Sequence, residues 1–97
     1  MKIDFSDTAK AQYISTLDYL DDINPAIADN FYLQVKEMTD RLSAFPLHGS
    51  YIPEFPNSAY KQVFVKPYRF FYRVDDRAES IIITAVYHDK QIPLKPE

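Results

Sequence analysis

Between Tyr60 and Lys90 the chain runs YKQVFVKPYRFFYRVDDRAESIIITAVYHDK, and this stretch limits the possible folds more than any other. Tyr60–Val65 and Tyr68–Val74 are rich in aromatic and β-branched residues and are separated only by Lys66 and Pro67. Asp75–Glu79 is a polar turn and Ser80–His88 a third apolar segment, so the stretch reads as three consecutive strands. Turns this short make the strands antiparallel neighbours, and a sheet with one apolar face needs a cover.

The preceding residues read as that cover. Met1–Phe5 alternates polar and apolar residues, the pattern of a short edge or joining strand. Ser6 and Asp7 offer caps for a helix whose apolar positions are Ala9, Tyr13, Leu17 and Leu20, with Ile14 beside them, ending near Asp22. Asn24-Pro25 starts a second helix, an N-cap followed by proline at a position whose missing N–H costs nothing. Its apolar set is Ala28, Phe31, Tyr32, Val35, Met38, Leu42 and Phe45, and Pro46 stops it. Helices joined by so short a link form an antiparallel hairpin. Pro46–Ala59, which holds the only glycine, Gly49, reads as a loop, and Gln91–Glu97 as a loosely held tail. The expected fold is α+β: an N-terminal strand, an antiparallel two-helix hairpin, then a three-stranded antiparallel sheet with one face under the hairpin.

At 97 residues and 46% hydrophobic content the chain is expected to be a single domain, residues 1–97. It has no cysteine, no apolar run of the roughly 18 residues a membrane span needs, and no signal-peptide layout, so a soluble cytoplasmic protein is expected. A net charge of −3 argues against a general nucleic-acid binder. The sign is nevertheless divided: residues 1–59 carry four Lys/Arg against nine Asp/Glu, and residues 60–97 seven against five. An anionic partner is therefore expected at the sheet.

The residues with chemistry to offer stand on the strands and their ends: Lys61, Arg69, Arg73, Tyr87, His88 and Lys90. Lys61, Arg69 and His88 could hold a phosphate, stabilise developing charge and move a proton, the needs of phosphodiester cleavage. Each could equally be an ordinary strand cation or a strand-ending hydrogen bonder. Glu54 is a general-base candidate if its loop folds over the sheet. His48 reads as surface decoration, and the acidic cluster Asp18, Asp21 and Asp22 as a solvated face. Two histidines without ligand spacing give no metal site, and no phosphate or nucleotide loop can be built from one glycine, so neither metal nor cofactor is expected.

Four short motifs in order resemble the RelE/ParE superfamily, the toxins of bacterial type II toxin-antitoxin pairs. They are Asn24-Pro25-x-x-Ala28, Leu42-x-x-x-Pro46-x-x-Gly49, Tyr68-Arg69-x-x-Tyr72-x-Val74 and Ile81-x-Ile83-x-x-Val86-x-His88, and together they span nearly the whole chain. The resemblance implies a toxin that arrests growth until a cognate antitoxin wraps it in a hetero-oligomer.

The superfamily divides by target. In the RelE-like branch, ribosome-dependent mRNA endonucleases, Lys61 and Arg69 fall at matching places, and Tyr87-His88 is similar to a branch ending in the reverse order. Val63, however, stands where a second lysine is expected, Gln91 near an expected arginine, and the tail has no tyrosine. The hairpin and loop motifs look more like the ParE branch, which inhibits DNA gyrase without catalysis. The resemblance thus implies a ParE-like gyrase inhibitor first, an mRNA endonuclease acting at the ribosome second, and a non-toxic binding module third. On the first reading Lys61, Arg69, Arg73, Tyr87, His88 and Lys90 meet target or antitoxin, and exposed tyrosines such as Tyr51 and Tyr60 add contacts.

Overall fold

A computed structural model describes residues 1–96. Its elements are β1 (Lys2–Phe5), α1 (Asp7–Ile23), α2 (Pro25–Ala44), β2 (Ser50–Tyr51), β3 (Lys61–Val65), β4 (Tyr68–Asp75) and β5 (Ser80–His88).

The caps act where the residue types place them. Ser6 accepts a hydrogen bond from the Ala9 N–H at 3.1 Å, satisfying one of the first-turn donors of α1 that have no partner within the helix. Asn24 serves both helices. Its backbone N–H closes α1 on the Leu20 carbonyl, and its side chain accepts from the Ala26 N–H, so one extended residue turns the chain back as a hairpin. On α2, Ala28, Phe31, Val35, Met38 and Leu42 are buried at helical spacing. Tyr32 and Phe45 of the expected apolar set lie outside this stripe, 53% and 66% exposed, and Ile14 on α1 is also exposed.

The sheet is larger and less uniform than the sequence reading. It has five strands in the order β1-β5-β4-β3-β2. The last three elements pair antiparallel as expected, but β1 is a parallel edge strand on β5, in register Lys2–Ser80 to Phe5–Ile83. At the other edge Ser50 and Tyr51, expected in a loop, pair with Gln62 and Lys61. The sheet is therefore mixed.

One face carries the main core. Val63, Val65, Tyr68, Phe70, Tyr72, Ile81, Ile83 and Val86 pack with Ala9, Phe31, Val35, Met38 and Leu42 of the helices. Directly paired residues of antiparallel strands share a face, so register assigns every neighbour. A bulge interrupts β4–β5: Tyr72 pairs with Ile83 and Phe71 with Ala85, leaving Thr84 as the extra residue. It shifts the alternation so that Val86 as well as Ile81 and Ile83 faces the helices. The bulge lies where β1 gives way to α1. Ser6 donates its backbone N–H to the Ile83 carbonyl and its hydroxyl to the Thr84 carbonyl, and Gln12 accepts the Val86 N–H at 2.7 Å on the uncovered edge of β5.

The opposite face is partly covered by the chain itself. Ile52 and Phe55 from the loop after β2 pack on Phe71, Ala85, Tyr60 and Tyr87 as a second apolar cluster. The tail is held more closely than expected: Pro93 is buried and the Leu94 N–H donates to the Tyr87 hydroxyl at 3.3 Å. Among the described residues no helix is long and apolar enough to cross a membrane.

Candidate functional site

The face away from the hairpin is centred on Arg69. From β4 it pairs with Phe64 of β3 and Tyr87 of β5, which puts its side chain on this open face. There it is almost wholly enclosed, its side chain 7% exposed. Its guanidinium makes a two-pronged contact with Glu54, Nη1 and Nη2 each 2.7 Å from a carboxylate oxygen, while Nε donates to Gln62 Oε1 at 2.9 Å. The guanidinium carbon lies 5.1 Å from the centre of the Phe71 ring, within cation–π range. Fork-on-fork pairing is the strongest geometry open to arginine and a carboxylate.

The electrostatics follow. The hydrogen bond from Arg69 holds the Glu54 carboxyl below the usual carboxylate range against the opposing effect of desolvation. The same bond raises Arg69 above its already high ordinary value, again against desolvation. Arg69 thus pins the loop through Glu54 to the sheet, and the carboxylate is occupied by a cation. The loop does fold over the sheet as the general-base candidacy required.

The other expected site residues are divided between the two faces. Lys61 pairs with Tyr72, and His88 pairs with Tyr68, both tyrosines of the helix-side core. Lys61 and His88 are therefore on the face opposite Arg69. They are also separated along the sheet by the four residues from Tyr68 to Tyr72, about 13 Å at strand rise. The endonuclease set does not converge. His88 packs edge-on against the Tyr68 ring, and its Nδ1 accepts the Lys90 N–H at 3.1 Å. The neighbouring Asp89 carboxylate also lies 3.1 Å from Nδ1. This is the strand-ending structural bond. Lys90 is exposed in the turn that follows.

Tyr87 and Arg73 share the open face with Arg69. Tyr87 packs edge-on against Phe71, and Arg73 pairs with Ile82 further along β4. Of the tyrosines expected as contacts, Tyr51 is 62% exposed, whereas Tyr60 and Tyr87 pack on the second cluster and are half-buried. His48 is exposed. Among the described residues no group of three His, Cys, Asp or Glu side chains could hold a metal. The partner that sequence reasoning missed is Gln62. The two-residue Lys66-Pro67 turn pairs Val65 with Tyr68, so counting back from it places Gln62, not Lys61, on the Arg69 face.

A carboxylate that has lost its pairing partner can turn to water if it is exposed, but a buried guanidinium cannot, so the two halves of this pair are unequal. Glu54→Ala leaves Arg69 enclosed with only Gln62 and is expected to cost about 2 kcal/mol. Arg69→Met leaves Glu54, whose side chain is 40% exposed, free to turn to water but takes the donor from the buried Gln62 oxygen, and is expected to cost about 1 kcal/mol. Urea unfolding of both variants checks the order, and a larger loss for Arg69→Met would refute it. Because the folded carboxyl is depressed, the pair's contribution is complete above about pH 5 and is lost as pH falls from about 4.3, the unfolded value, through the lower folded one. The wild type should therefore lose stability faster than Glu54→Gln on acidification below that point.

A two-helix hairpin laid across one face of a small mixed sheet is the fold that the resemblance to the RelE/ParE superfamily implies. Residues 3–93 match the family model described as "ParE toxin of type II toxin-antitoxin system, parDE", so the chain belongs to the ParE toxin family. Among solved structures it resembles a chain of the "Chromosomal ParDE TA system from P. aeruginosa", with 18% identity and a TM-score of 0.70 over 91% of this chain and 95% of that one. It also resembles a chain of the toxin-antitoxin complex RelBE2 from Mycobacterium tuberculosis, with 25% identity and a TM-score of 0.62 over 90% and 88%. No curated protein matches.

Proposed function

We propose that this ParE-family toxin arrests growth in the cytoplasm by inhibiting DNA gyrase through protein contacts, and that a cognate antitoxin neutralises it. The observation that supports this reading is the state of Arg69. Its guanidinium is committed to Glu54 and Gln62, and register puts it on the face opposite Lys61 and His88. A phosphodiesterase needs a free cation and a proton-transfer group around one phosphate, whereas an inhibitor that works by contact needs only a rigid exposed surface. The antitoxin is supported by the solved structures that the chain resembles, a ParDE system and a RelBE2 toxin-antitoxin complex. A segment that folds on binding and covers the surface used against gyrase suits such a pair.

The test is pulse labelling of DNA and protein synthesis minutes after induction without antitoxin, followed by a supercoiling assay with purified gyrase. Thymidine incorporation is expected to fall first, with supercoiling blocked in vitro. His88→Ala is expected to leave growth arrest intact, whereas a nuclease relying on that imidazole would lose roughly a hundredfold or more in rate. An early fall in methionine incorporation that His88→Ala abolishes would replace gyrase with translation as the target.

A further inference from the structure

Beyond Arg69 the open face contains a second feature. Where β4 and β5 pass the start of α1, the returning tail closes one side of a cavity of about 340 Å³, at the lower end of the roughly 300–1,000 Å³ typical of small-molecule sites. Its cations are Arg73 on β4 and Lys95 on the tail, and its aliphatic hydroxyls are those of Ser6, Thr8 and Thr84. Phe71, Ala85, Tyr60 and Tyr87 give it an apolar and aromatic lining. Among the described residues no carboxylate lines it; the acid of the α1 first turn, Asp7, is exposed. Arg69 is bound on both edges of its guanidinium, but Arg73 enters none of the ion pairs among the described residues.

We infer that this cavity binds a small organic phosphate with an aromatic body, the class that includes nucleoside monophosphates. Arg73 is half-buried, held on a strand and in no ion pair among the described residues, which suits it to grip a phosphate with its donor fork. Lys95 adds a second charge, and the Thr8 hydroxyl adds a donor, since the hydroxyls of Ser6 and Thr84 already donate to the Thr84 and Phe71 carbonyls. The tyrosine rings beside the cations offer a flat apolar surface to the rest of the ligand. The bulge sets this arrangement, because it places Ala85 and Tyr87 on the same face as Arg73 while Thr84 lines the cavity between them. A ligand held by Arg73 and Lys95 ties the tail to the sheet, so occupancy fixes the tail and stabilises the fold whatever the toxin's target.

The experiment uses the full chain with AMP, adenosine and inorganic phosphate as probes, read by amide NMR shifts, calorimetry and thermal melting. AMP is expected to bind saturably with shifts centred on Thr84, Ala85, Tyr87 and Lys95, to raise Tm, and to bind at least about tenfold more tightly than adenosine or phosphate alone. Arg73→Gln is expected to weaken AMP about tenfold or more, while Lys61→Gln, which changes a cation of the other face, leaves it unchanged. If Arg73→Gln lowers the melting temperature of the unliganded protein, Lys95→Gln on the tail decides, and it too is expected to weaken AMP. Absence of saturation at millimolar AMP, equal affinity in the deciding variant, or equal losses in Lys61→Gln would overturn the assignment.

Discussion

Deleting Thr84 is expected to leave the protein folded, although it takes a residue from the middle of the longest strand. Thr84 is the extra residue of the β4–β5 bulge, and without it Ile83 and Ala85 become consecutive, so regular alternation keeps Ile83 and Val86 under the helices and Ala85 and Tyr87 on the open face. The pairs of Tyr72 with Ile83 and of Phe71 with Ala85 then join into an unbroken ladder. The deletion removes the Thr84 carbonyl that accepts from the Ser6 hydroxyl and straightens the strand beside the Val86 N–H that donates to Gln12. Disturbing these two bonds where β5 meets the start of α1 should cost about 1–3 kcal/mol, less than a typical domain's whole stability. Thr84→Ala keeps the extra residue and removes only a side chain whose hydroxyl contact with the Phe71 carbonyl is long, at 3.5 Å; it should cost under about 1 kcal/mol. Thermal melts of the two variants by circular dichroism separate the backbone of the bulge from its side chain. Loss of the cooperative transition in the deletion would show that the bulged backbone itself, and not only the alternation it preserves, holds the sheet to the helices.

The bulge also shows how legibility varied along the chain. The helices could be read because their signals are local: Ser6, Asn24-Pro25 and Pro46 each act within a few residues. The strands could be read from composition, and the bulge is visible in the spacing of Ile81, Ile83, Val86 and His88, whose middle interval is three where a regular strand would give two. The parallel pairing of β1 with β5 was not legible, since it joins residues 78 apart, such as Lys2 and Ser80, and nothing nearby announces it. The two residues of β2 were hidden because a strand that short shows no period.

The site was legible as a set of residues but not as an arrangement. Lys61 and Arg69 looked like a pair because both are basic and stand on adjacent strands, yet face is decided by parity about the Lys66-Pro67 turn. That count was available in the sequence and assigns Lys61 to Tyr72 and Arg69 to Phe64. The salt bridge from Arg69 to Glu54 could not be counted in this way, because the loop that brings Glu54 over the sheet has no repeating pattern to extrapolate. The tail was misjudged for a related reason. Its prolines signal that it joins no helix or central strand, but they do not forbid Pro93 from packing.

Gly49→Ala should be the most damaging single substitution outside the main core, and for a reason its backbone angles do not reveal. No glycine here has positive φ, so another residue could adopt the conformation; what it lacks is space. A Cβ at Gly49 would lie 2.6 Å from the Gln62 carbonyl oxygen, 2.6 Å from the Tyr72 hydroxyl and 2.7 Å from its ring. Tyr72 is fully buried. Its hydroxyl accepts the Gly49 N–H at 2.9 Å and donates to the Pro46 carbonyl at 2.8 Å, tying the end of α2 to the sheet just before β2. The added methyl must displace either a β3 backbone atom or this ring, and a cost of about 3 kcal/mol is expected, at the upper end for over-packing because no flexible side chain can yield. Tyr72→Phe separates the two obstacles. It removes the hydroxyl and leaves two backbone groups without their partner, at about 1–3 kcal/mol, but the Gln62 oxygen and the ring remain. More than half of the Gly49→Ala penalty should therefore persist in the Tyr72→Phe background, measured by a double-mutant cycle in urea. If instead the penalty vanishes there, the hydroxyl was the whole obstacle, and the close approach of the loop to the β3 backbone does not constrain this position.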